Sequence, residues 1–117
     1  YLNRGYTYIG MNDYPTAMKD IDKALELDPN YHEAIAYKGI GYTNMGQPIE
    51  GEKWLSRAIE QVPDNPALYY YRGVALINMD SIDQGCADLT KAAEGGNHEG
   101  DGMMEQYCGG THHDHGH

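Results

Sequence analysis

Gly5, Gly39 and Gly73 recur at one constant interval in a chain of 117 residues, and the positions around them keep the same period. Arg4, Lys38 and Arg72 precede them, while Tyr8, Tyr42, Leu76 and then Met11, Met45, Met79 follow. Farther along come Ala17, Gly51, Gly85, next Ile21, Leu55, Leu89, and next Ala24, Ala58, Ala92, each column holding one size and polarity. Pro29 and Pro63 close the first two units. A repeat of this length means stacked supersecondary units that bury one another's apolar faces.

Within a unit the apolar spacing is helical. Tyr1, Tyr8 and Ile9 share one stripe, and Ala17, Ile21, Ala24 and Leu25 share another, so each unit holds two helices. Turn chemistry marks the breaks. Asn12-Asp13, Gly46-Gln47-Pro48 and Asp80-Ser81 separate helices inside units, and Asp28-Pro29-Asn30 and Pro63-Asp64-Asn65-Pro66 separate the units. Ser81 with Gln84 predicts a capping box, and Asn65 before Pro66 predicts a side-chain cap with proline in the first turn. Glycine inside a helix costs roughly 1 kcal/mol relative to alanine, so its recurrence at fixed spacing points to two helix backbones that approach closely.

The balance of 8 Lys+Arg against 18 Asp+Glu gives a net charge of -10, which opposes nucleic-acid binding. No stretch approaches the roughly 20 apolar residues of a membrane span, so direct membrane insertion is not expected. Catalytic patterns are missing too. Ser56 and Ser81 have no His/Asp pattern around them, and the chain holds no phosphate loop, HExxH or CxxC, so neither an enzyme nor a cofactor is expected.

A helix–turn–helix unit of about 34 residues with an aromatic, a small residue, a second aromatic, then Ala, a large apolar residue, Ala and a closing Pro resembles the tetratricopeptide repeat (TPR). The run Asn12 to Pro29, with Tyr14, Ala17 and Lys23-Ala24-Leu25-Glu26-Leu27-Asp28-Pro29, carries the likeness most fully. It covers about residues 1–94. Gly51 and Gly85 depart from the usual Ala, and the third unit ends in Gly95-Gly96 without its Pro. The resemblance implies an all-α TPR solenoid of antiparallel helix pairs with three repeats (1–30, 31–64, 65–94), a C-terminal capping helix within 95–108, and a disordered tail over 109–117. Asn97 is expected to cap a helix over His98–Tyr107, with Met103, Met104 and Tyr107 covering the open apolar end. The residues Gly85-Cys86-Ala87-Asp88-Leu89, Lys91-Ala92-Ala93-Glu94-Gly95 and Tyr107-Cys108 also resemble the C-terminal end of a bacterial TPR subtype. Because Tyr1 aligns with Ile35 and Tyr69, inside a first helix, further repeats are expected upstream.

The family's groove implies a partner: a peptide segment or helix of another protein, held on the concave face built from first helices. The groove-facing residues would be Leu2, Asn3, Tyr6, Ile9, then Glu33, Tyr37, Ile40, Asn44, then Ala67, Tyr70, Tyr71, Val74, Asn78. Tyrosine gives wide apolar contact at low entropic cost, and the amides of Asn44 and Asn78 can bond an extended peptide's backbone. The same tyrosines would also serve to pack adjacent repeats. Chaperone-binding TPR domains clamp a C-terminal carboxylate with Lys, Asn and Arg, but the corresponding positions here hold Leu2, Tyr6, Tyr37, Ala67 and Tyr71. An apolar, aromatic or basic segment suits this chain better than an acidic tail.

An alternative is a rigid spacer or subunit that meets its partners through outer helices. Trp54, the only tryptophan, has Asp20 and Asp88 as register partners, and charged siblings predict a solvent-facing ring for contact or one folded over Lys53 or a neighbouring repeat. Cys86 and Cys108 are either two thiols or, if the cap folds back, a disulfide closing a loop of about 22 residues, with about 3 kcal/mol of stabilisation. A bridge would favour the periplasm or cell envelope over the cytoplasm. His112, His113, His115 and His117 are of ligand type, yet Gly109-Gly110 leaves them without a rigid frame, so at most weak metal binding is expected.

Overall fold

A computed structural model describes residues 14–108, and among these every regular element is helical. The chain divides into two compact bodies, Tyr1–Pro63 and Asp64–His117. The N-terminal body contains α1 (Tyr14–Leu27), α2 (His32–Asn44) and α3 (Pro48–Gln61). The C-terminal body contains α4 (Pro66–Asn78), α5 (Ile82–Glu94) and a short α6 (Asp101–Met103) that continues as one π-helical turn, Met104–Cys108.

In the N-terminal body, the α1 stripe of Ala17, Met18, Ile21 and Ala24 buries against Ala34 of α2, with Tyr31, Tyr37, Tyr42, Leu25 and Met45 packed around it. The α2–α3 pair is tighter. A Cβ on Gly39 would stand 2.6 Å from Leu55 Cγ and 2.9 Å from the Gly51 carbonyl oxygen. One on Gly51 would overlap the Thr43 hydroxyl and lie 2.8 Å from the Gly39 carbonyl oxygen. The α4–α5 pair repeats this in the next unit: a Cβ on Gly73 would lie 2.8 Å from Leu89 Cδ2, and one on Gly85 2.6 Å from Ile77 Cγ1 and 3.0 Å from the Gly73 carbonyl oxygen. Gly51 and Gly85 stand where the family has Ala because Thr43 and Ile77, both β-branched, already fill the space.

The two described first helices, α2 and α4, end the same way. Gly46 (φ 84°) and Asp80 (φ 66°) are left-handed, and the next residue donates back across the turn, Gln47 N to Tyr42 O at 2.8 Å and Ser81 N to Leu76 O at 2.8 Å. This closure displaces the expected capping box. The Ser81 N–H that Gln84 would engage is given to Leu76, and Ser81 makes no side-chain cap. At α4 the expected cap forms, with Asn65 Oδ1 accepting from Ala67 N at 3.1 Å and Pro66 opening the helix.

The C-terminal segment differs from expectation. Asn97 Oδ1 accepts from Glu99 N at 3.0 Å in a local turn, and helix begins only at Asp101. Glycine at 100 and 102 weakens helix formation there. Met103 and Met104 are partly buried, whereas Tyr107 is 45% exposed and stays out of the expected cover.

Two stability outcomes follow from this packing. Gly51→Ala should destabilise by about 1–3 kcal/mol through overpacking, while Gly102→Ala, whose Cβ would meet nothing within 4 Å, should not destabilise. Asp80→Gly should stabilise by about 0.5–1 kcal/mol by relieving a left-handed non-glycine residue. Urea denaturation of each variant measures both.

Candidate protein-binding face

Tyr37, Ile40 and Asn44 fall at i, i+3 and i+7 of α2, on one face of the helix. Tyr71, Val74 and Asn78 occupy the same register of α4. In both helices the apolar members are partly exposed and the asparagine fully so, whereas Gly39 and Thr43, or Gly73 and Ile77, are buried against the second helix. Tyr37 has a foot in the core, since it packs against the α1–α2 cluster. Tyr70, one residue and about 100° from Tyr71, lies off this stripe. Its ring faces Gly100, where a Cβ would stand 3.2 Å from Tyr70 Cδ1. Burial, with a smaller contribution from Glu99, pushes its phenol above the ordinary tyrosine value. Tyr70 and Tyr71 meet with ring centroids 5.0 Å apart at 58°. Leu2, Asn3, Tyr6 and Ile9 lie outside the described residues.

Lys38 and Arg72 are the only Lys or Arg on α2 and α4, and both turn away to second-helix carboxylates. Lys38 Nζ lies 2.5 Å from Asp22 Oδ1. Arg72 grips Asp88 bidentately, with Nε donating to Oδ2 at 2.7 Å and Nη2 to Oδ1 at 3.0 Å. The Tyr69 ring, 5.7 Å from the Arg72 guanidinium carbon, lies beside the pair. The stripe is therefore neutral apart from Glu33 at its start.

Trp54 is neither a fully solvent-facing ring nor folded over Lys53: its ring contacts are with Lys38 and Arg57. Its register partners Asp20 and Asp88 are 6% and 7% exposed, so charge in that column does not mark a solvated face, and Asp88 pairs with Arg72 of the facing helix. Trp54 is partly buried, with Lys38 Nζ 4.5 Å and the Arg57 guanidinium carbon 4.6 Å from its ring centroid. The contacts 38–54 and 72–88 join the same two columns in successive units. A signal for them was present: the cations Lys38 and Arg72 recur opposite this column.

Cys86 on α5 and Cys108 at the end of the π-helical turn are joined in a disulfide, with Cα atoms 6.0 Å apart. The histidines at 112, 113, 115 and 117 lie outside the described residues. Among the described residues no three His, Cys, Asp or Glu side chains gather in a metal-sized group, and no helix is long and apolar enough to cross a membrane.

The family profile described as Tetratricopeptide repeat matches residues 1–31. Residues 1–31 carry a tetratricopeptide repeat. Among solved structures, "MamA 41-end from Desulfovibrio magneticus RS-1" is 24% identical with a TM-score of 0.74, covering 81% of this chain and 54% of that one. "MamA RS-1 ArsTM double mutant" is 25% identical with a TM-score of 0.72, covering 79% and 52% respectively. The chain thus spans about half the length of the structures it matches. No curated protein sequence matches it.

TPR domains are in general non-enzymatic scaffolds that bind other proteins, and the helical architecture here is similar to theirs. What its described surface offers chemically is contact area and amide hydrogen bonds, on a backbone held by paired glycines. The Arg72–Asp88 pair should be structural. Arg72→Met leaves Asp88 buried without its partner and should cost about 2–3 kcal/mol, and adding Asp88→Leu should recover more than half, as urea denaturation would show.

Proposed function

We propose that the TPR domain binds extended or helical segments of a partner protein on the stripes of its first helices, each by itself: Tyr37, Ile40 and Asn44 on α2, and Tyr71, Val74 and Asn78 on α4. The observation that carries this reading is the recurrence of one chemistry, aromatic, aliphatic, then amide, at one register on both helices, with the aromatic and aliphatic members partly exposed and the amide fully so. Tyrosine rings supply area, and the asparagine amides can both donate to and accept from a peptide backbone.

The engagement of the first-helix cations among the described residues bears on the partner's charge. With Lys38 and Arg72 engaged by Asp22 and Asp88, neither is presented to an incoming anion, and the chain as a whole carries -10. A neutral or basic segment rich in apolar and aromatic side chains fits; an acidic tail is repelled. Trp54 is a weaker candidate contact because Lys38 and Arg57 already occupy its ring.

Selection of short peptides from a displayed random library by the whole chain tests this. Enrichment of apolar, aromatic and basic residues is the expected result. Asn44→Ala with Asn78→Ala leaves the Tyr37 core contact intact and should lower affinity for the selected peptides by tenfold or more, about 1.4 kcal/mol. Enrichment of acidic peptides, or equal binding by a folded double variant, would overturn the reading.

A further inference from the structure

The segment after α5 has little regular structure of its own. It consists of the turn at Asn97, a three-residue α6 and one π-helical turn, and helices this short have no stability of their own. What it covers is apolar and central. A Cβ on Gly100 would stand 2.6 Å from Leu89 Cδ2 and 3.2 Å from Tyr70 Cδ1, and Leu89 is 1% exposed. Its non-covalent attachments to α5 include Asn97 N donating to Ala92 O at 2.9 Å and Thr90 Oγ1 meeting Met104 Sδ at 3.6 Å, with Met103 and Met104 partly buried. The His98–Asp101 pair is internal to the segment. Glu99, Asp101 and Glu105 give the segment three carboxylates and no Lys or Arg, on a chain of net charge -10. The Cys86–Cys108 bond is its one covalent tie.

We propose that the Cys86–Cys108 disulfide is a thiol-operated latch that holds residues 97–108 against Leu89 and Tyr70 and thereby fixes Tyr71 on the binding face. That this regulates partner capture rests on the function proposed above. Closed, the latch backs the Tyr70 ring with Gly100, and Tyr70 in turn packs on Tyr71 at 5.0 Å between centroids. Open, the acidic segment leaves, Tyr70 regains rotamer freedom, and Tyr71 loses a fixed neighbour.

The sulfur to attack is that of Cys86, which is partly exposed on α5 among the exposed Asp83, Ala87 and Thr90, whereas Cys108 is 7% exposed. A dithiol reductant supplies the chemistry. Its first thiolate bonds to Cys86 Sγ, the Cys86–Cys108 bond breaks, and its electron pair leaves on Cys108, which takes a proton. The reductant's second thiolate then attacks its own sulfur in the mixed disulfide and releases Cys86, also protonated. Two electrons pass to the protein, and the reductant ends as a disulfide.

Hydrogen exchange of the whole chain, oxidised and in dithiothreitol, tests the latch without any partner. Reduction should speed exchange over 97–108 on the order of a hundredfold, the scale set by releasing the loop that the disulfide closes, and leave α2 and α3 unchanged. Ring carbon signals of Tyr70 and Tyr71, assigned with Tyr70→Phe and Tyr71→Phe, should shift together on reduction. Cys86→Ser with Cys108→Ser should match the reduced state; should that variant not fold, the reduced native chain still decides. Two free thiols with the segment still protected, or an unmoved Tyr71, would overturn the proposal, and neither result bears on whether the stripe binds peptide.

Discussion

Where α2 crosses α3, the Gly51 carbonyl oxygen lies 2.9 Å from where a Cβ on Gly39 would stand, and the Gly39 carbonyl oxygen lies 2.8 Å from the equivalent point on Gly51. Each backbone occupies the volume that a side chain on the other would need. Helices this close cannot slide, because any shift in register drives a neighbouring side chain into backbone. The register so fixed brings Lys38 to Trp54 and Arg72 to Asp88, and buries Leu55 and Leu89 to 0% and 1% exposure. It also decides which face is left over. With Gly39 and Thr43 turned inward, Tyr37, Ile40 and Asn44 must turn away, and the same holds one unit on for Tyr71, Val74 and Asn78.

The columns of the sequence carried most of this, because a repeat reports each packing position several times over. Ile21, Leu55 and Leu89 were visible as one column and are one buried position, at 0%, 0% and 1% exposure. Errors arose where one residue's environment departs from what its type suggests. The aspartate siblings of Trp54 suggest a solvated column, yet those carboxylates sit at 6% and 7% exposure. The decisive clue was not the charge of one column but the opposite charge of the column facing it.

Local signals failed for a different reason. Ser81 and Gln84 have the spacing of a capping box, but a box needs the Ser81 N–H, and the left-handed turn at Asp80 commits that group to Leu76. Two motifs competed for one donor, and the one completing the preceding helix holds it. Tyr70 shows the limit of spacing arguments of another kind. It belongs to the same tyrosine run as Tyr71, but helical rotation turns it to the Gly100 side, where burial sets its environment.

The two first helices share a register, yet their surroundings differ in a way that bears on binding. On α2 the stripe tyrosine, Tyr37, is anchored by the α1 core, a contact made by close-packed apolar groups and insensitive to the medium. On α4 the stripe tyrosine, Tyr71, leans on Tyr70, and Tyr70 leans on the segment 97–108, tied by one disulfide. Rigidity lowers the entropy lost on binding, so a face whose aromatic contacts are held in place binds more tightly than the same face with free rings. The N-terminal stripe has that rigidity built in. Under the proposed latch the C-terminal stripe has it only while the segment is docked, which would place control of affinity at the α4 end.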